Sequence, residues 1–308
     1  HMVQQIQDRL FKRANTLLRS ASHERTDPDQ LTSDLDHVIA ESVMQAELFR
    51  ALVKNGELQP EHLGFEATVV KGSELDEEDL KEMRALFERN YRNESEEFRA
   101  KIMGSFEAAL PKGTTDFYVL RNPRGDVVAF SRLDHNQNAE GERESIYFGS
   151  FNVEDMNSKG SGIGSYMLRE TLTKAKAEAE EAGVPIEAHC DPGAFITQKY
   201  IEWGFVATEI ADVAGKPSFS IRFEPGQHYE SKTRTEGEVA AKAHTLAPDN
   251  ESLFVYRTPA GEEPDWSPLS RGFVLTRFVR NSEGELVTVF ERAQERGATT
   301  EHNDKEAA

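Results

Sequence analysis

The sequence is short of several things that would narrow its chemistry at once. It has a single cysteine, Cys190, so no disulfide can form within the chain. Its nine histidines are scattered, none at the Cys/His spacing of a zinc site, and no metal is expected. No run of about 18 apolar residues occurs, so no membrane span is expected. Positive charge is scarce: 36 Lys and Arg stand against 55 Asp and Glu, a formal net charge of −19. That field repels nucleic acid phosphates and acidic membranes and suits a cationic ligand such as an amine or a basic protein segment; plain solubility explains it equally well. The start, His1-Met2, has the look of a cloning remnant, and no basic flank with an apolar run follows. A cytoplasmic location is the expectation.

What is present describes a soluble globular protein. Hydrophobic residues make up 37% and charged residues 30% of 308 residues, enough for a sizeable core and more than one average domain. The chain is organised around Lys159-Gly160-Ser161-Gly162-Ile163-Gly164, between a strand-like run at 146–153 and a helix-forming run at 165–182. Three glycines in five positions let the backbone turn tightly and point N–H groups at one spot, and the following helix adds its positive N-terminal end. This is a seat for phosphate, or else an ordinary glycine turn that caps a helix. The spacing is not the Gly-x-Gly-x-x-Gly of a dinucleotide site, and no Gly-Lys-Ser/Thr follows as a P-loop requires.

Helical spacing of Val3, Ile6, Leu10, Ala14 and Leu17 predicts a helix over 3–20. Asp27-Pro28 starts a second, whose apolar face runs from Leu31 to Val53 and stops at Asn55-Gly56. Residues 1–62 read as a helical extension that must pack elsewhere. A strand at 65–70, with Phe65, Ala67 and Val69 on one face, precedes two helices capped by Asp76 and Ser95. Strands at 117–120 and 127–132 flank a turn, and a polar loop at 135–143 leads into the strand at 146–153, where Gly149 marks a bulge or close approach. After the glycine loop and its helix come a strand at 185–190, a helix at 194–203, and an antiparallel pair at 206–210 and 219–223. Strands at 253–257, 272–279 and 285–291 form a C-terminal extension too small to stand alone. Residues from 294 onward read as disordered.

Two motifs carry a family resemblance. Lys159-x-x-Gly162-x-Gly164 resembles the pyrophosphate loop, Arg/Gln-x-x-Gly-x-Gly/Ala, of the GNAT superfamily of N-acetyltransferases. Tyr200-Ile201-Glu202-Trp203-Gly204-Phe205 resembles that superfamily's Tyr-x-x-x-Gly-Phe signature, and the two stand in the right order, separated by one helix and one strand. The resemblance covers about residues 63–225. It implies an α/β (α+β) GNAT fold, a mixed and mostly antiparallel sheet flanked by helices; to this the residue patterns outside it add an N-terminal helical hairpin (1–62), a C-terminal β extension (226–293) and a disordered tail (294–308).

It also implies transfer of an acetyl group from acetyl-CoA to an amine by direct attack on the thioester. The donor would be held by Lys159, Gly160, Ser161, Gly162, Ile163, Gly164 and Ser165, with Ile163 turning toward the core. Phe151 and Val153 would lie on the strand beside the donor, with Ser150 and Phe151 lending backbone groups to its pantetheine arm. Tyr200, with a phenol pKa near ~10, stands where the family places the general acid for the CoA sulfur; ring packing in its helix is the plainer role. Glu144 is the first candidate for the base, provided it is partly buried, and Glu154 the second; each is otherwise a solvated charge. Cys190 is expected to be structural.

The sequence departs from the family in two places. Residues 192–198 lack the Asn that many members carry near the start of this helix, and Lys159 replaces Arg or Gln. A non-catalytic acyl-CoA-binding or protein-interaction module therefore stays open beside the enzyme. The acceptor would be a small-molecule or protein amine, specified by the first two helices of the domain and by the loop at 135–143. The terminal extensions suggest a homodimer.

Overall fold

The computed structural model describes residues 65–122, 125–154, 163–192, 195–229, 253–281 and 283–292. The expected helices at 3–20 and 31–53, the residues Lys159 to Gly162 and the tail from 294 lie outside the described residues. The chain divides into two compact units. The first takes in the described residues up to Ser95, then Ile102–Leu133 and Ser150–Lys174; the second takes in Glu96–Lys101, Asp134–Gly149 and the described residues from Ala175 onward.

In the first unit, β1 (Glu66–Lys71) pairs antiparallel with β2 (Thr115–Arg121) from Glu66↔Arg121 to Lys71↔Asp116. Val69 is 48% exposed, so the expected face of Phe65, Ala67 and Val69 is not the inner one; Thr68 and Val70 point the other way and are the more buried. Helix α1 (Glu77–Tyr91) starts where the side chain of Asp76 accepts from Asp79 N at 2.8 Å, as an N-cap should. Helix α2 (Glu96–Ala109) follows, starting directly after Ser95.

Met83, Leu86 and Phe87 of α1 and Phe106 and Ala109 of α2 make one apolar cluster with Phe117 and Val119 of β2 and with Val127 and Phe130 of β3 (Val127–Gln137). Phe106 sits at its centre, 5.7 Å from the rings of both Phe117 and Phe130. Each buried Phe, Leu, Met or Val side chain of the cluster contributes about 1.5–3 kcal/mol relative to exposure. The guanidinium of Arg84 on α1 grips Glu107 on α2 through both carboxylate oxygens at 2.7 and 2.9 Å. Strand β4 (Arg143–Val153) ends in this unit.

The expected polar loop at 135–143 is shorter in the structure. β3 runs on to Gln137 and β4 begins at Arg143, because Asn138 closes a tight turn. Its Oδ1 accepts from the N–H groups of Glu140 and Glu142, its own N–H donates to Glu142 O, and Gly141 takes φ +82°. The expected irregularity in β4 also moves by one residue: Ser150, not Gly149, takes the left-handed φ of +49°.

Helix α3 (Ile163–Ala182) follows the glycine loop and ends at Gly183, φ +67°. Its buried residues Tyr166, Met167, Leu168, Thr171 and Leu172 belong to the first unit, Ala175 and Ala179 to the second. In the second unit β5 (Ile186–Cys190) lies parallel to β4 at Ile146↔Ile186 and antiparallel to β7 (Lys216–Phe223). β7 pairs with β6 (Val206–Val213) through a two-residue turn, Ala214 and Gly215, both at positive φ. That turn extends the hairpin beyond the expected 206–210 and 219–223.

Helix α4 (Phe195–Glu202) contacts β6 and β9. β9 (Phe273–Arg280) pairs antiparallel with β6 at Ala207↔Leu275, then with β10 (Leu286–Arg292), which pairs with β8 (Leu253–Thr258). The expected C-terminal strands thus continue the strand array of this unit. A short helix, α5 (Ser267–Ser270), lies in the Pro- and Glu-rich connection, where Trp266 stacks over Phe278 and meets Phe219 edge-on.

Candidate functional site

In the first unit the site is built from the end of β4 and the start of α3. Phe151 and Val153, two residues apart, share one side of the strand. Both reach the first turn of α3: a Cβ placed on Gly164 would meet Val153 Cγ2 at 3.7 Å and Phe151 Cζ at 3.9 Å. These are ordinary contacts, so packing at this point does not itself demand glycine. Ile163, Gly164 and Ser165 are half-buried, whereas Ile163 was expected to turn into the core. α1 and α2 carry Glu77, Glu78, Asp79 and Glu96, Glu97 in their first turns, but the first turn of α3 carries no acidic residue. Its N–H groups and the positive end of its dipole are therefore not screened by carboxylates of their own turn. Lys159, Gly160, Ser161 and Gly162 lie outside the described residues.

Four polar residues that sequence reasoning passed over hold this end of β4. Asn90 at the end of α1 donates from Nδ2 to Asn152 Oδ1 at 3.0 Å and to Val153 O at 3.2 Å. Asn152, fully buried, donates in turn to Ser150 O at 3.3 Å. On the other side Arg132 of β3, 3% exposed, donates from Nη1 to Ser150 Oγ at 3.1 Å and to Ser105 O at 2.8 Å, and from Nη2 to Ser105 Oγ at 2.8 Å. The one available signal was an arginine closing the apolar run Val127-Val128-Ala129-Phe130. A charge there must be hydrogen-bonded if the strand is buried.

The second unit contains the expected catalytic pair, in contrasting surroundings. Tyr200, on the last turns of α4, is 3% exposed. Its ring meets Phe148 and Phe205 edge-on, at 5.9 and 5.5 Å between centroids. Gly204 takes φ +100°, and Phe205 N donates to Tyr200 O at 3.0 Å, so the Tyr-x-x-x-Gly-Phe pattern is a helix end folded back on its own tyrosine. Glu144, at the start of β4, is exposed and lacks the partial burial its role as a base called for. In the first unit Glu154 is exposed too, although its N–H continues the strand pairing by donating to Val128 O at 2.7 Å.

Cys190 is buried, and its thiol is pushed up to about 12, chiefly by desolvation. The Thr197 hydroxyl lies 3.4 Å from Sγ and donates to Asp191 O at 2.6 Å, so the contact at sulfur is that of a neutral S–H donor. The geometry is structural, as expected. His135 and Arg143, both in the stretch expected to read the acceptor, converge on Glu178 of α3 at 2.8 and 3.4 Å. Among the described residues no group of three or more His, Cys, Asp or Glu is placed to hold a metal, and no helix is long and apolar enough to cross a membrane.

No protein-family model and no curated protein matches the chain. Solved structures do. An acyl-CoA N-acyltransferase from Pseudomonas aeruginosa is 18% identical over 51% of this chain and 99% of its own, with a TM-score of 0.40. ElaA from Escherichia coli is 19% identical over 52% and 99%, with a TM-score of 0.37. FeeM, an N-acyl amino acid synthase from uncultured soil microbes, is 12% identical over 56% and 94%, with a TM-score of 0.39. Likeness at this level assigns neither a substrate nor an activity to the chain. Within the chain itself the described elements run strand, two helices, three strands, helix, strand, helix, two strands, the order that the residue patterns over 63–225 predict.

Proposed function

We propose that the chain is an acyl-CoA-dependent N-acyltransferase that moves an acetyl group from acetyl-CoA to a primary amine. The observation that carries the reading is the form taken by Tyr200 to Phe205: a buried tyrosine at a helix end whose glycine adopts φ +100°, following in order a strand, a glycine-rich loop and a long helix with no acid in its first turn. The pyrophosphate would sit on the backbone donors from Gly160 to Ser165, with Lys159 as a cationic partner and Phe151 and Val153 alongside. The neutral amine attacks the thioester carbonyl, carbon–sulfur cleavage releases the thiolate, Tyr200 gives its proton to sulfur, and the proton shed by the attacking nitrogen restores the phenol, directly or through solvent.

The net charge of −19 favours a cationic acceptor, whether a small amine or a protein amine. A cytoplasmic location and a homodimer formed through the terminal extensions belong to the same reading. Light scattering tests the dimer.

A second reading, a non-catalytic acyl-CoA-binding module, is favoured by the exposure of both Glu144 and Glu154, which leaves neither carboxylate in the partly buried setting expected of a general base. One experiment separates the two. Free thiol is followed with acetyl-CoA and a panel of polyamines, aminoglycosides, amino acids and lysine peptides, beside calorimetric titration of acetyl-CoA. Turnover with any amine supports the enzyme; binding without turnover across the panel supports the module; absence of binding removes both.

A further inference from the structure

The left-handed residue in β4 is a serine, although glycine is the residue that reaches positive φ without steric cost. Glycine is available one position earlier, at Gly149, and is not used for the kink. A serine held there needs partners that over-determine its conformation. Ser150 has them on two sides: Arg132 Nη1 donates to its hydroxyl and Asn152 Nδ2 donates to its carbonyl. The same guanidinium holds Ser105 of α2 through both its backbone carbonyl and its hydroxyl.

Three donations from one planar, permanently charged group fix its orientation, and burial at 3% exposure removes competing water. The kink also matters for what comes next in the chain. A change of φ at Ser150 re-aims Phe151 and Val153, the two side chains that flank the first turn of α3 at Gly164.

We propose that Arg132 is a positioning residue: by stapling Ser105 of α2 to Ser150 of β4 it sets the left-handed kink that presents Phe151 and Val153 to the start of α3. Its consequence for ligand binding rests on the acyl-CoA reading above; its consequence for β4 does not. Arg132 touches no reacting atom and acts through Ser150. The hydroxyl is the part of Ser150 that this role requires, so alanine at 150 should reproduce the effect of losing the guanidinium. A lysine at 132 keeps the charge but offers one compact donor group in place of a two-armed fork, and should not restore it.

The test compares the wild type with Arg132→Gln, Arg132→Lys, Ser150→Ala and the double change Arg132→Gln with Ser150→Ala. Hydrogen exchange is read in peptides covering 146–154, with peptides covering 115–121 of β2 as an internal reference, and acetyl-CoA is titrated by calorimetry. Each single change is expected to speed exchange at 146–154 by about tenfold relative to β2, and the double change to do no more than either single one. Acetyl-CoA affinity should fall by about tenfold in parallel.

Unchanged exchange at 146–154 in Ser150→Ala overturns the staple, and so does a double change that adds the two single effects. If Arg132→Gln does not fold, Ser150→Ala still decides, since it removes only a half-buried hydroxyl. Faster exchange with unchanged affinity overturns the link to the donor seat. A wild type that does not bind acetyl-CoA refutes the acyl-CoA reading and with it that link, while the exchange data still decide the staple.

Discussion

Tyr200 and Phe148 meet edge to face at 5.9 Å between ring centroids, and the contact joins the helix that carries the Tyr-x-x-x-Gly-Phe pattern to the middle of β4. Ring and hydroxyl can therefore be separated by mutation. Tyr200→Phe keeps the edge-on contacts and removes the proposed acid, so it should lower kcat by about 10²–10⁴-fold while acetyl-CoA affinity stays within about twofold. Tyr200→Ala removes the ring as well and should cost about 3–5 kcal/mol of stability. Steady-state kinetics beside urea unfolding reads both. An unchanged kcat in Tyr200→Phe would sink the acid assignment.

The buried thiol of Cys190 and the phenol of Tyr229 are both pushed up to about 12, each mainly by desolvation, from ordinary values of 9.0 and 10.0. A group whose folded pKa is raised keeps its proton longer in the folded than in the unfolded chain. Stability then falls as pH rises through the window between the two values, from about 9 to 12 for the thiol and from about 10 to 12 for the phenol. Cys190→Ala should flatten the first part of that alkaline decline, measured as the urea midpoint against pH. The native thiol should also resist aromatic disulfide reagents at pH 8 and react at once when the chain is unfolded.

Two glycines are required for different reasons, and alanine at each should show it. At Gly72 a Cβ would fall 2.5 Å from Leu110 O and 2.9 Å from Leu110 Cα, against backbone that cannot turn aside. Gly72→Ala should therefore cost about 1–3 kcal/mol through displacement of the segment after α2. At Gly204 a Cβ would make ordinary contacts of 3.5 Å with the Phe223 ring, and the obstacle is φ +100°. Gly204→Ala should cost about 1–2 kcal/mol. Asparagine, which tolerates positive φ better than alanine, should recover part of the loss at 204 and none at 72.

The two-pronged contact between Arg84 and Glu107 holds the Glu107 carboxyl below its ordinary range, the hydrogen bonds from Arg84 being the main cause. A depressed folded pKa gives stability that is present above about 4.5 and is lost as pH falls through the folded value. Both side chains are well exposed, so the effect is small and screened. Glu107→Gln should flatten the acid limb of the unfolding midpoint slightly at low salt. The difference from wild type should vanish in 1 M salt.

Local signals in the sequence gave the element order well. Asp76 was recognisable as a cap because its side chain has a backbone donor three residues on, and Gly183 and Gly204 as helix ends because only glycine takes their φ readily. Strand lengths were harder to read, since they depend on turns. Asn138 and the pair Ala214-Gly215 each let a hairpin run on into polar sequence, where hydrophobic alternation gives no guidance. In the candidate site the glycine and tyrosine motifs were visible as patterns, whereas Asn90, Ser105, Arg132 and Asn152 were not. Their roles arise from partners between 2 and 63 residues away, and no period in the sequence joins them.

The pairing of Ala207 with Leu275 bears on how far the chain can be shortened. Strand β6 lies between β7 and β9, so the backbone donors and acceptors along its second edge depend on a strand that comes more than sixty residues later. A chain halted after Pro225 would carry both motifs and every proposed site residue, yet it would end with that edge bare. Such a product should be a nucleus for intermolecular strand addition rather than a smaller working version of the protein. Premature termination or proteolysis anywhere before Phe273 should therefore act as a loss of solubility first, and only through that as a loss of function.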